Sequence, residues 1–96
     1  MARRQYLICY DISDDKRRNC VFKLLMGLGD HLQYSVFLCM LNGQEIVSAR
    51  SDLAAAIHAR DDQVVIVDLG LFDNSLDSIL ECLGKRYNPP ARVQVV

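Results

Sequence analysis

Short apolar runs alternate with helical patterns along this chain, and their order limits the folds open to it. QYLICY (5–10) and QVVIVDLG (63–70) are short and rich in β-forming residues, so each predicts a buried strand. HLQYSVFLCML (31–41) is too long for one simple strand and predicts two strands with a break near Ser35. Helical spacing of apolar residues predicts one helix over 15–28 and a second from Asn42 to about Ala59. Asn42-Gly43 is also a hairpin signal, but the helical period that follows favours a helix start at Asn42.

The order strand, helix, strand, strand, helix, strand matches the ferredoxin-like βαββαβ plan of the α+β class. In this plan an antiparallel sheet carries both helices on one face. Residues 1–96 are predicted to form one such domain. SLDSILECLGKRY (75–87) then predicts a short helix, NPP stops it, and RVQVV (92–96) predicts a closing strand.

The fourth strand of this plan lies at a sheet edge, yet VVIVDL (64–69) is too apolar for an exposed edge. The closing strand is therefore expected to cover it. It can do so by folding back within the chain, or by joining the sheet of a second copy across a twofold axis. Association would help a chain this short, because its own core is small.

Composition excludes several classes of function. The formal net charge is −1, so the chain has no global basic field, and nucleic-acid binding would need a local patch. No stretch approaches the roughly 20 apolar residues of a membrane span, and the apolar run after the basic N-terminus is too short for a signal peptide. The four cysteines lack C-x-x-C spacing and the two histidines are far apart, which disfavours zinc and predicts reduced thiols in a cytoplasmic protein.

Two interpretations compete for YDISDDKRR (10–18), which follows the first strand directly. In the first, Asp11, Ser13 and Asp14 form an N-cap cluster, and Asp14 pairs with Arg18 at i,i+4. This interpretation explains Asp11 poorly, because other caps lie closer to the helix. In the second, Asp11 is a ligand of Mg²⁺ or Mn²⁺ at the mouth of the sheet.

A metal at Asp11 is linked to dimerisation, because Mg²⁺ in proteins typically takes one or two carboxylates. A twofold dimer that brings both Asp11 side chains together would supply two. Arg17 and Arg18 would then be placed to hold phosphates, and Lys16 would extend the patch.

YLICYDISDDKRR, about fifteen helical residues and then QYSVF closely resemble the small CRISPR-associated adaptation protein, the Cas-two family. The resemblance is tight over residues 5–41 and architectural over 42–96. It implies a ferredoxin-like homodimer in which the last strand of each chain pairs with the partner's sheet. It also implies divalent-metal phosphodiesterase activity on RNA or DNA, and service as the bridge between CRISPR integrase dimers during spacer capture. A non-catalytic DNA-binding scaffold and a toxin-type ribonuclease of similar fold remain the alternatives.

Functional residues carry over from the resemblance by position. Asp11 matches the family's catalytic metal-binding aspartate, and Arg18, with Arg17 and Lys16 beside it, matches the nucleic-acid-binding arginine. His31 stands where relatives often carry a basic residue, so it joins the predicted nucleic-acid contacts. Tyr10 and Tyr34 are expected in the core or an interface rather than as stacking platforms. The predicted dimer interface comprises Ser35, Phe37, Arg92, Val93 and Val95.

Overall fold

The computed structural model describes residues 2–72 and 80–85. Over this part of the chain, strands and helices follow one another in the predicted order. They are β1 (Arg4–Asp11), α1 (Asp15–Met26), β2 (Gly29–Gln33), β3 (Val36–Leu41), α2 (Gly43–Ala56) and β4 (Gln63–Leu71). The strands form one antiparallel sheet in the order β2-β3-β1-β4, which confirms the ferredoxin-like α+β prediction and places β4 at an edge.

Both helices cover the same face of the sheet. Alternate residues of β1 project into one core, because successive side chains of a strand point to opposite faces. That core contains Tyr6, Ile8 and Tyr10 of β1, Phe37, Cys39 and Leu41 of β3, Val21 and Leu25 of α1, and Ile46, Ala49 and Leu53 of α2. Among the described residues, no helix has the length and apolarity needed to cross a membrane.

The exit from α1 comes earlier than predicted. The helix ends at Met26 rather than residue 28, and the Gly27 N–H donates to the carbonyls of Lys23 (3.3 Å) and Leu24 (3.2 Å). β2 then starts at Gly29, two residues before its predicted start. A side chain at Gly29 would place Cβ only 2.4 Å from the Leu38 carbonyl oxygen, so this glycine is what lets β2 approach β3 so closely.

The start of α2 is built by a capping box, which confirms a helix rather than a hairpin after Asn42. The Asn42 side chain accepts from the Glu45 N–H, and the Glu45 carboxylate accepts from the Asn42 N–H, both at 2.9 Å. The helix ends at Ala56, short of the predicted Ala59. It stops early because residues 58–62 form a separate turn. The Asp62 N–H donates to the His58 carbonyl (3.0 Å), and the Asp62 carboxylate accepts from the His58 N–H (2.8 Å).

The helix predicted over 75–87 is absent from the described part of that range, which is 80–85. Residues 80–85 contain no helix. Gly84 has φ of +83°, a conformation incompatible with a right-handed helix, and Leu83 is 88% exposed, so no packing supports helical structure here. The rest of that prediction and the closing strand over 92–96 lie outside the described residues.

Candidate nucleic-acid and metal site

Asp11 is the last residue of β1, where its backbone pairs with Gln63 of β4. Its side chain is exposed, and its carboxylate makes no hydrogen bond or ion pair with any residue that the structure describes. The N-cap of α1 is Asp14 instead, whose Oδ2 accepts from the Arg17 N–H at 2.9 Å. Helix capping therefore accounts for Asp14 and leaves Asp11 available for another task.

Arg18 holds the loop that follows Asp11. One terminal nitrogen of its guanidinium donates to the carbonyls of Ile12 (3.1 Å) and Ser13 (3.2 Å), and the other pairs with the Asp15 carboxylate. The predicted i,i+4 pair with Asp14 is therefore wrong, because the guanidinium turns back toward the loop carbonyls. The Arg18 side chain is still 45% exposed, so part of it faces solvent beside Asp11.

Arg17 is bound within the protein rather than left free. Its Nε donates to Oδ2 of Asp62 at 2.6 Å and a terminal nitrogen donates to Oδ1 at 3.2 Å. The Asp62 side chain is fully buried, and the Arg17 hydrogen bond holds the pKa of that carboxyl below its usual value, helped by the His58 N–H. The sequence does not distinguish Asp62 from any other loop aspartate.

The ion pair between Arg17 and Asp62 lies near Asp11. Asp62 directly precedes Gln63, which pairs with Asp11 in the sheet, so Arg17 ties the start of α1 to the start of β4. Lys16, by contrast, is exposed and forms no ion pair with the described residues. Of the three predicted phosphate contacts on α1, Lys16 and Arg18 retain the more accessible cationic groups.

His31 braces the turn between β2 and β3. Its Nε2 donates to the Tyr34 carbonyl at 2.8 Å, its ring stacks on Phe37 with centroids 4.8 Å apart, and Phe22 meets it edge-on at 5.3 Å. Tyr10 is buried, as expected, whereas Tyr34 is 93% exposed, so the core position predicted for Tyr34 is wrong and its alternative, a position in an interface, stays a prediction. Two-residue turns project side chains outward, which periodicity alone does not reveal.

The predicted dimer residues have different environments. Phe37 is completely buried in the core of its own chain, so it would act on an interface only through the turn it supports. Ser35 is half-buried, and its carbonyl accepts from the Tyr10 N–H at 3.1 Å. Arg92, Val93 and Val95 lie outside the described residues.

The edge strand β4 leaves a row of apolar side chains partly open. Val65, Val67 and Leu69 are each about 40% exposed, and Leu71 is 62% exposed. Within the described part of the sheet, β4 pairs with β1 and with no other strand. The predicted edge position of an apolar fourth strand is thus confirmed in the described sheet, whereas the closing strand expected to cover it lies outside the described residues.

Asp11 suits a divalent cation as part of a larger ligand set. Its oxygens are the ligands that Mg²⁺ prefers, and no neighbouring cation among the described residues competes for them. The described residues contain no group of three His, Cys, Asp or Glu side chains arranged to hold a metal. The described residues of one chain therefore do not complete a ligand set around Asp11, and a second copy, water or substrate would supply further ligands.

Sequence comparison then identifies the family. Residues 4–75 match the family model described as CRISPR associated protein Cas2. The chain belongs to the Cas2 family. This confirms the resemblance carried by YDISDDKRR and QYSVF.

Two curated Cas2 relatives match over most of their length. CRISPR-associated endoribonuclease Cas2 2 of Thermodesulfovibrio yellowstonii is 44% identical over 78 residues, which span 81% of this chain and 84% of the relative. CRISPR-associated endoribonuclease Cas2 1 of Rhodospirillum rubrum is 36% identical over 95 residues, spanning 99% and 92%.

Solved structures share the fold. The crystal structure of Streptococcus pyogenes Cas2 superposes with a TM-score of 0.71 at 27% identity, covering 83% of this chain and 99% of that one. A hypothetical protein from Thermus thermophilus superposes with a TM-score of 0.74 at 28% identity, covering 92% and 99%. The sheet and two helices described above are thus those of Cas2.

Proposed function

We propose that this Cas2-family protein cleaves phosphodiester bonds of RNA or DNA in a metal-dependent reaction at Asp11, and bridges CRISPR integrase dimers during spacer capture. The carboxylate of Asp11 at the end of β1 has no hydrogen-bond or ion-pair partner among the described residues. It carries the nuclease proposal, because the N-cap of α1 and the ion pairs of Arg17 and Arg18 form without it. The curated relatives are named endoribonucleases, which supports the same activity. The bridging role rests on membership of the CRISPR-associated family.

In this proposal one set of residues binds the metal and another binds the phosphates. Asp11 from each of two copies would hold Mg²⁺ or Mn²⁺, which when bound supplies a more acidic water and neutralises charge on the phosphate. Lys16 and Arg18 would hold flanking phosphates through charge-assisted hydrogen bonds. His31 contributes by fixing the β2–β3 turn rather than through a free imidazole, since its Nε2 is committed to Tyr34.

The second copy in this proposal is another molecule of the same chain. One edge of β4 is unpaired among the described residues, and several of its valines and leucines are exposed. Both features support an interface there, because a long apolar edge strand left unpaired promotes aggregation. The closing strand, 92–96, is the segment proposed to cross to the partner's sheet. Each dimer would then present two Asp11 residues.

Replacing Asp11 by Asn tests the metal site. The change keeps the side-chain shape but removes the charge that a divalent cation requires, so metal-dependent cleavage should fall by orders of magnitude. Nucleic-acid binding in chelator, dimerisation and spacer capture with the integrase should persist. Asp52→Asn, an exposed aspartate on α2, is the matched control and should cleave normally. Undiminished cleavage by Asp11→Asn would remove the metal site.

A purely structural role is the second candidate. It is favoured by two observations: the described residues contain no cluster of three possible metal ligands, and Arg17 is bound to Asp62 within the protein. In that case wild type and Asp11→Asn would both lack metal-dependent cleavage, while spacer capture would require the protein. A toxin-type ribonuclease would instead be encoded away from integrase genes and repeat arrays, so the gene neighbourhood separates it from both.

A further inference from the structure

Tyr34 presents an aromatic ring to water, and no contact within the described residues explains its position. It is the most exposed of the large apolar side chains in the described residues, at 93%. It occupies the two-residue connection between β2 and β3, where small polar residues such as Asn, Asp or Gly serve well. No other described aromatic ring contacts it. The described part of the fold therefore gains no packing contact from this ring.

The backbone beneath the ring is nevertheless held from two sides. The Tyr34 carbonyl accepts from Nε2 of His31 at 2.8 Å and from the Tyr10 hydroxyl at 3.5 Å. Both donors are anchored on Phe37, which stacks on His31 and on Tyr10 with centroids 4.8 Å and 6.4 Å apart. Binding through the ring would consequently cost little backbone ordering.

The turn lies beside the proposed nuclease site. Cys9 pairs with Val36 in the sheet and the Tyr10 N–H donates to the Ser35 carbonyl, so the turn flanks the end of β1 at Asp11. Burial raises the pKa of Tyr10, and the positive charge of Arg18 acts in the opposite direction, which places that guanidinium near the same turn. A ring, a carboxylate and a cation are thus gathered at one end of the sheet.

We infer that the Tyr34 ring stacks on an unpaired nucleobase of single-stranded nucleic acid whose backbone runs past Asp11. An exposed aromatic ring next to cationic groups is the combination with which proteins bind single strands, because every base has a π-face and every phosphate a charge. Bases within a duplex are already stacked, so the ring would favour single strands over duplexes. This inference rests on the nucleic-acid binding proposed above.

A tryptophan at position 34 makes the contact visible, since the chain contains no other tryptophan. Emission of Tyr34→Trp should be quenched saturably by a single-stranded homopolymer RNA or DNA in chelator, and much less by the matching duplex. Emission that stays unquenched while the oligonucleotide is shown by anisotropy to be bound would overturn the inference.

Two further variants separate stacking from charge. Tyr34→Ala should weaken single-strand binding roughly 5- to 150-fold without changing the slope of log K against log salt, because no cation is lost. Tyr34→Phe should bind like wild type, since stacking needs the ring and not the hydroxyl. Lys16→Ala is the opposite control and should lower the slope by roughly 0.7.

The remaining outcomes are also decisive. If wild type binds single strands and Tyr34→Ala binds equally well, the stacking role fails while the proposed function stands. If Tyr34→Ala instead shifts the monomer–dimer equilibrium in sedimentation, the ring is a contact between copies and the inference is overturned. If wild type binds no nucleic acid, the proposed function fails together with it.

Discussion

Three cations follow Asp11 within the first turn of α1, and each has a different environment. Lys16 faces solvent, Arg17 is bound to the buried carboxylate of Asp62, and Arg18 is turned back onto loop carbonyls. A basic run in a sequence is therefore not equivalent to a basic surface. With a net charge of −1, the affinity for nucleic acid has to come from few groups, of which Lys16 is the least encumbered.

Asp62→Asn tests the structural role of the Arg17 pair through its pH dependence. Arg17 lowers the pKa of folded Asp62, so this carboxylate stabilises the fold above its ordinary value of 3.8, and the contribution is lost as pH falls through the lowered pKa. Asp62→Asn should be less stable than wild type at neutral pH, and the difference should shrink below that value. Urea unfolding of both proteins across a pH series measures it.

Asp52→Asn provides the baseline for that series, because Asp52 is an exposed aspartate on α2. Its stability at neutral pH should be close to that of wild type, because the structure gives this side chain no ion pair with the described residues. A difference between wild type and Asp62→Asn that stays constant through acid would contradict the ion-pair explanation. Stability that is lost when another carboxyl with a lowered pKa becomes protonated, such as Asp68 beside Arg4, would be lost equally by wild type and Asp62→Asn.

The position of Asp11 could be predicted from the sequence, whereas the partner of Arg17 could not. Asp11 ends an apolar run, and such a boundary is a local pattern. Arg17 and Asp62 are 45 residues apart and meet only because β4 pairs with β1. Asp62 itself belongs to the charged loop RDDQ, which contains no periodic signal that distinguishes a buried carboxylate from a solvated one.

The two helix predictions after β3 differ in outcome because they differ in support. Residues 43–56 have a capping box at one end and bury Ile46, Ala49 and Leu53 against the sheet. Residues 80–85 have Gly84 in a left-handed conformation and an exposed Leu83. A helix of about a dozen residues is only marginally stable without tertiary contacts. The sequence of the segment alone does not reveal whether those contacts form.

Asn42→Ala tests the contribution of the cap to α2. The variant loses the hydrogen bond from the Glu45 N–H to the side chain, so the free energy of unfolding should fall by about 1 kcal/mol. Asn42→Ser, which can accept the same bond, should retain most of the stability. Equal losses in both variants, measured by urea denaturation, would show that the cap is not the cause.

At the scale of the whole molecule, β4 is the element that its own chain leaves incomplete in the described residues. The strand combines an open edge with partly exposed Val65, Val67 and Leu69, so it has both backbone groups and apolar surface to offer. A second sheet satisfies both, since strand addition pairs the backbone while the facing side chains leave water. The same step would bring two Asp11 residues into one assembly, linking association to the proposed chemistry.

Deleting residues 92–96 should therefore give monomers or aggregates, because the edge of β4 would lose the strand proposed to cover it. Val67→Lys should weaken association in the full chain by placing a charge on the same apolar surface, whereas Val47→Lys, at an exposed valine on α2, should not. Sedimentation at low micromolar concentration distinguishes these states. A truncated protein that stays a soluble dimer would show that the closing strand does not hold the two copies together, and the paired arrangement of Asp11 would then need a different interface.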